Sequence, residues 1–312
     1  MRKRILVLGS SNIDLILRVP RFHNPGETTT GENLVTAFGG KGANQAIAAK
    51  RLDGEVLFLT KLGKDSFGQS YRKYLIGNGL PPRFLLQDKK LPTGVAVIEL
   101  IPKGENRIIV SPGANGSLSV IDLQKHHDAW YGAGVFVVQL ETPLNTVTKG
   151  LVLARKKDCL TILNPAPAAP LSREILSLVD FLVPNEWEAQ SLSGIKMKGK
   201  KDLPRIGQKL LDRGAKNVVI TLGAQGLYFK NRNGEIWMDA FRVKAVDTTA
   251  AGDAFMGALA CGLAAEKPIW EALKMANAAG ALAATRLGAQ PSLPNRRELE
   301  RFLETSPYPP DQ

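Results

Sequence analysis

Ala245-Val246-Asp247-Thr248-Thr249-Ala250-Ala251-Gly252-Asp253-Ala254-Phe255 runs directly into Met256 to Ala265, an Ala-, Leu- and Gly-rich stretch that reads as a buried helix. Small residues just ahead of a helix let an anion approach the unpaired N–H groups of its first turn, where the helix dipole also favours negative charge. An Asp at that point would repel a permanently bound anion. It fits if its carboxylate is aimed at a proton on an incoming nucleophile. Helix capping is the competing reading, since Asp caps helices well, and the segment alone leaves the two open.

A second segment, Phe38-Gly39-Gly40-Lys41-Gly42-Ala43-Asn44-Gln45-Ala46, also turns into a helix. Its glycines let the backbone approach a ligand closely, and Lys41 and Asn44 offer donors to hydroxyls. The spacing is neither the phosphate loop G-x-x-x-x-G-K-[ST] nor G-x-G-x-x-G, and an ordinary tight turn remains the plain alternative. Asn12 and Asp14 follow the first apolar run, where carboxyl-end loops collect ligand groups; an Asx turn would explain them equally. Glu141 follows another run at Gln139-Leu140. Pro184-Asn185-Glu186-Trp187-Glu188 opens a helix, giving Asn185 and Glu188 a place near phosphates or hydrated Mg²⁺, with a helix cap as the simpler role for Asn185.

Working outward, short apolar runs recur at Ile5 to Leu8, Val56 to Thr60, Val135 to Leu140, Leu160 to Leu163, Phe181 to Val183 and Val218 to Leu222. Segments with helical spacing separate them, such as Ala43 to Leu52, Phe67 to Ile76, Leu144 to Lys156 and Leu203 to Arg213. That alternation predicts an α/β fold, a doubly wound, mainly parallel sheet flanked by helices. Residues 15–38 and 91–111 instead hold strand-like pieces with no helix between them, expected to form a small antiparallel sheet placed as a lid. Turns are expected at Pro20, Pro25-Gly26 and Pro102 to Asn106. No linker divides the chain, so residues 1–312 read as one α/β domain with a loose tail from Thr305 to Gln312.

Composition excludes several classes. The 312 residues carry 41 Lys and Arg against 29 Asp and Glu, a net charge of +12. The excess is diffuse and lacks interleaved aromatics, so no nucleic acid partner is expected. Two cysteines, Cys159 and Cys261, cannot staple a secreted fold, and a reducing cytoplasmic setting follows. The basic start Met1 to Arg4 leads into a strand rather than an export signal, and no apolar run reaches the ~18 residues of a membrane span. His23, His126 and His127 lack metal-binding spacing, no G-x-S-x-G elbow is present, and G-x-G-x-x-G is absent after the first strand. Zinc-enzyme, hydrolase and nicotinamide dehydrogenase readings fall away.

The pair Gly39 to Gln45 and Asp247 to Asp253, in this order and about two hundred residues apart, resembles the two signatures of the ribokinase-like (PfkB) carbohydrate kinases. The resemblance runs through Leu163-Asn164-Pro165-Ala166-Pro167 and Pro184-Asn185-Glu186 to Gly288-Ala289-Gln290-Pro291-Ser292. It implies ATP-dependent phosphorylation of a sugar's primary hydroxyl. D-ribose is the expected acceptor; deoxyribose, fructose or a nucleoside is the alternative. Asp253 is implied as the base, with the backbone of Ala250, Ala251 and Gly252 as the anion hole. Asn12, Asp14, Gly40, Lys41, Asn44 and Glu141 resemble the sugar-contacting set. Asn185, Glu188, Thr221, Gly223, Gly226, Gly252 and Asn277 resemble the ATP-contacting set. A monovalent cation, expected as K⁺, would sit at Asp247, Thr249, Ala283, Arg286, Gly288 and Ser292, and Mg²⁺ would accompany ATP. The resemblance also implies a homodimer through the lid. Two positions depart from the common pattern: Asn277 stands where a His is sometimes found, and Ala250-Ala251 replaces Gly-Ala.

Overall fold

A computed structural model describes residues 3–102 and 105–306. The tail beyond Ser306 and the centre of the expected turn at Pro102 to Asn106 lie outside those residues. The first half holds β1 (Arg4–Leu8), β2 (Asn12–Arg18), β3 (Glu32–Gly39), α1 (Lys41–Arg51), β4 (Val56–Gly63) and α2 (Ser66–Gly77). It continues with β5 (Leu85–Asp88), β6 (Gly94–Leu100), β7 (Asn106–Ser111), α3 (Val120–Lys125), β8 (Ala133–Val138) and α4 (Leu144–Lys156). Then come β9 (Leu160–Leu163), α5 (Arg173–Ser177), β10 (Phe181–Leu182), α6 (Glu186–Ser193), α7 (Leu203–Asp212) and β11 (Asn217–Thr221). The chain closes with β12 (Leu227–Asn231), β13 (Gly234–Met238), α8 (Ala251–Ala264), α9 (Ile269–Ala283) and α10 (Arg296–Thr305).

Every apolar run read as a strand is one. Ile5, Leu6, Val7 and Leu8 are all at most 1% exposed, as a parallel strand covered on both faces requires. Among the described residues the main sheet runs β13-β12-β11-β10-β9-β8-β1-β4-β5. Neighbours from β11 to β5 are parallel, and β12 and β13 add an antiparallel edge. The winding reverses between β1 and β8, so the chain leaves their carboxyl ends in opposite directions and opens a crevice there. Alternate residues of β1 face two separate cores: Ile5 and Val7 pack with α1, α8 and α9, while Leu6 and Leu8 pack with α4 and α7.

The helix-free regions form a second sheet of order β3-β2-β6-β7. It is mixed rather than wholly antiparallel. The hairpins β2/β3 and β6/β7 are antiparallel, but β2 and β6 run parallel, because each leaves the main sheet in the same sense with a long connection between them. The sheet also begins earlier than expected. Only Gly9-Ser10-Ser11 separates β1 from β2, so Asn12 and Asp14 are strand residues rather than an Asx turn, and two residues apart on a strand share one face. The aromatic ring of Phe38 stacks on Tyr71 at 4.5 Å, tying β3 to α2.

Helices α1 and α8 approach closely because small residues line their contact. A Cβ built on Gly257 would lie 2.5 Å from the Ala48 Cβ. That closeness brings the starts of the two helices, the two segments singled out in the sequence, to one place. Among the described residues no helix is long and apolar enough to cross a membrane.

Candidate active site

The crevice is built from the ends of β1 and β8. The hydroxyl of Ser10 donates to Glu141 Oε2 at 2.5 Å, and Glu141 Oε2 also accepts from the Lys41 N–H at 3.0 Å. The Ser10 carbonyl takes the Ala43 N–H at 2.9 Å. The first turn of α1 is thereby satisfied from the switch point, and Glu141 anchors the glycine loop as well as facing the crevice. Gly39 is required for space: a Cβ there would fall 2.0 Å from Asp14 Oδ2.

Asp253 is the third residue of α8, and its carboxylate caps nothing. Its Oδ2 accepts from Asn44 Nδ2 and its Oδ1 from Gln45 Nε2, both at 2.9 Å. It is 8% exposed. Burial pushes its pKa up, outweighing the Lys41 charge and the two amides that pull it down. Asp14 is raised from 3.8 to about 7, chiefly by burial and then by Glu141 and Asp253. Burial alone would lower the Lys41 ammonium, yet the surrounding Asp253, Glu141, Glu188 and Asp14 raise it. One cation among four carboxyl groups therefore sits at the centre. Neither the Asp14 carboxylate nor the Lys41 ammonium has a hydrogen-bond partner among the described residues, so both are available to hydroxyls. Asn12 is 3% exposed, and its Oδ1 accepts from Asn115 Nδ2 at 2.7 Å.

At the start of α8, Ala250 has φ 60°, a left-handed conformation that turns the chain into the helix. The Ala251 N–H donates to the Thr248 carbonyl at 3.1 Å. This departs from the anion-hole expectation, which included Ala251. At this turn no hydrogen bond within the described residues engages the N–H groups of Ala250, Gly252 and Asp253. A Cβ on Gly252 would meet nothing within 4 Å. The helix thus presents free donors to open space beside a carboxylate.

The ATP-contacting candidates gather at the adjoining strand ends. Asn185 is the N-cap of α6: its side chain accepts from the Glu188 N–H while Glu188 accepts from the Asn185 N–H, each at 2.8 Å. The simpler reading of Asn185 therefore holds, and its link with Glu188 is this capping box. Glu188 is raised by burial. Thr221 bridges to Asn185. Gly223 is open and Gly226 has φ 92°, with the Met238 carbonyl only 1.9 Å from where a Cβ would stand. Asn277 donates to the Asp239 carbonyl at 2.7 Å.

The candidate cation residues lie in two segments joined by Asp247, one just before α8 and one running from the end of α9 to Ser292. One of its oxygens accepts from the Thr249 N–H and hydroxyl, and the other from the Gly288 N–H at 2.8 Å. Burial would raise Asp247, but these bonds hold it below its ordinary value. The Ala283 carbonyl accepts from the Arg286 N–H, the Arg286 guanidinium pairs with Glu298, and Ser292 is fully buried. An ionised carboxylate with several backbone oxygens is the hard, oxygen-rich donor set that an alkali cation takes. The Arg286 side chain points to Glu298, so that residue could contribute only main-chain oxygen. Among the described residues no group of three or more His, Cys, Asp or Glu could hold a metal ion.

Sequence reading passed over the amides that organise the centre. Gln139 Nε2 donates to Gln45 Oε1 at 2.6 Å, and Gln290 Nε2 donates to Asn44 Oδ1 at 3.1 Å and Tyr71 Oη at 2.6 Å. Tyr71 Oη donates to the Gly39 carbonyl at 2.7 Å. Buried glutamines inside apolar surroundings were the available signal.

The fold and this centre define a sugar-phosphorylating class. The pfkB family carbohydrate kinase model matches residues 2–296, and the chain belongs to that family. Among its relatives, the ribokinase of Haemophilus influenzae is 40% identical over 304 residues, 97% of this chain and 99% of that protein. The deoxyribokinase of Salmonella typhi is 34% identical over 300 residues, covering 96% and 98%. The structure of Arabidopsis thaliana ribokinase complexed with ribose and ATP matches at TM-score 0.90 and 30% identity, covering 98% of this chain and 100% of that one.

Proposed function

We propose that the chain transfers the γ-phosphoryl group of ATP to the primary hydroxyl of D-ribose, giving ribose 5-phosphate and ADP. The observation that carries this reading is the buried Asp253 carboxylate, gripped by two amides and set beside the free N–H groups at the start of α8. Asp253 accepts the proton of the attacking hydroxyl, and burial, by raising its pKa, makes it a better proton acceptor than an ordinary carboxylate. Asn12, Asp14, Gly40, Lys41, Asn44 and Glu141 hold the sugar's other hydroxyls, with Lys41 as donor and Asp14 as acceptor. The N–H groups at Gly252 and its neighbours stabilise charge on the phosphoryl in flight.

ATP lies along Asn185, Thr221, Gly223, Gly226 and Asn277. Glu188 would stand near a hydrated Mg²⁺ that accompanies ATP, and that ion would supply neutralisation of phosphate charge. The segments around Asp247 and Gly288 would hold a monovalent cation, expected as K⁺, which would supply positive charge near the start of α8. The small sheet serves as a lid over the sugar, and both of its faces carry exposed apolar residues, Leu34 and Ile109 on one and Val35, Ile108 and Val110 on the one shared with Asp14, all at least 48% exposed. Exposed apolar surface on the lid favours a homodimer through it. The protein acts in the cytoplasm on small molecules, without nucleic acid. The 34% identity to a deoxyribokinase keeps 2-deoxyribose as the rival acceptor.

A panel of ribose, deoxyribose, fructose and nucleosides in a coupled ADP-release assay, with and without K⁺, tests the reading. Ribose should give the highest kcat/KM. Asp253→Asn should lower turnover by roughly 10⁴-fold or more with sugar binding retained; near-normal turnover in that variant would remove Asp253 as the base.

A further inference from the structure

The Gln45 amide has no atom left over for a ligand. One N–H meets Asp253 Oδ1 at 2.9 Å, the other meets Asn164 Oδ1 at 3.3 Å, and its oxygen accepts from Gln139. Gln45 is 1% exposed. Asn44 and Gln45 are consecutive on α1, where successive side chains diverge by about 100°. These two neighbours grip opposite oxygens of one carboxylate, and each is itself held by a further partner. Gln290 turns Asn44 and Gln139 turns Gln45. Gln139 is itself 1% exposed, and its Oε1 has no hydrogen-bond partner among the described residues. A buried unpaired oxygen is costly, and the residue's one described side-chain hydrogen bond is the one that orients Gln45.

We propose that Gln45, oriented by Gln139, is a positioning residue for Asp253, fixing the plane of the carboxylate and holding it ionised for proton abstraction. The inference rests on Asp253 being the base. Amide donors favour the charged form, so their loss raises the acid's pKa. The other groups facing Asp253 are Lys41 and Asn44 on α1, Glu141 after β8, Asp14 on β2, Glu188 on α6 and Tyr71 on α2, and the substitution alters none of them chemically.

The test compares Gln45→Met, Gln139→Met and Asp253→Asn with the unaltered chain. Two readouts are taken: ¹³C carboxyl NMR titration of Asp253 in the ligand-free protein, and kcat and KM for ribose from about pH 5 to 9, with Tm alongside. Gln45→Met should raise the Asp253 pKa by about one unit and move the acid limb of the kcat profile up equally. Its kcat near pH 7 should fall by roughly 10- to 100-fold while KM changes by less than about threefold. Gln139→Met should shift both in the same direction by less, without a matching fall in Tm. An unmoved Asp253 titration with Asp253→Asn inactive overturns the role of Gln45 alone, as does a kcat loss equal at every pH that tracks Tm. Retained turnover in Asp253→Asn instead removes the base, and with it this inference.

Discussion

Gly252→Ala separates the fold from its chemistry. Gly252 is the second residue of α8 and is not among the glycines with positive φ, so alanine fits its backbone. The added methyl would meet no protein atom within 4 Å. Replacing a helical glycine by alanine stabilises by up to about 1 kcal/mol, and in a chain of this size that corresponds to a Tm rise of roughly 0–2 °C. The same methyl would occupy part of the open space in front of this helix start, where a phosphoryl oxygen must approach the free N–H groups to about 3 Å. Losing that contact should lower kcat by roughly 10²–10³-fold. Differential scanning calorimetry gives the first number and coupled ADP release the second. A Tm fall of more than about 4 °C would mean the space is not open. A kcat/KM within about threefold of the parent would mean that the phosphoryl does not pass there.

Asp14 makes stability depend on pH in a direction opposite to most carboxylates. Its pKa of about 7 lies above the ordinary 3.8, so between those values the folded chain holds a proton that the unfolded chain has released. Stability therefore falls as pH rises from about 4 to about 7. Asp14→Asn should raise stability at pH 8 by at most about 4 kcal/mol, less for the part of the side chain that water reaches, and by progressively less towards pH 4. Sugar affinity should drop. Denaturant unfolding at the two pH values checks this, and an equal gain at both would refute it. Gly257→Ala acts on packing instead, because its methyl would lie 2.5 Å from Ala48 Cβ and 2.7 Å from Ala49 N. Overpacking of about 1–3 kcal/mol, partly offset by helix propensity, should lower Tm; an unchanged or higher Tm would show that α1 and α8 have room to spare.

The main sheet was legible because parallel strands buried on both faces must be continuous apolar runs, as Ile5 to Leu8 and Val218 to Ile220 are. The two helix-initiating glycine segments were legible because close approach to a ligand demands small residues. Three features were hidden. Asn12 and Asp14 looked like loop residues, since nothing local distinguishes a short link from a strand that changes sheets. The parallel pairing of β2 with β6 depends on partners far apart in sequence. The amides around Asp253 join positions 94, 208 and 246 residues apart, and a lone glutamine has no spacing to read. Their chemistry still explains why they are amides. A guanidinium against Asp253 would hold the carboxylate ionised but pull its pKa far down, making it a feeble proton acceptor. A neutral N–H donor orients the same oxygen with a smaller depression. With burial raising the pKa and the Lys41 charge pulling it down, uncharged positioning groups let Asp253 be both fixed in place and basic.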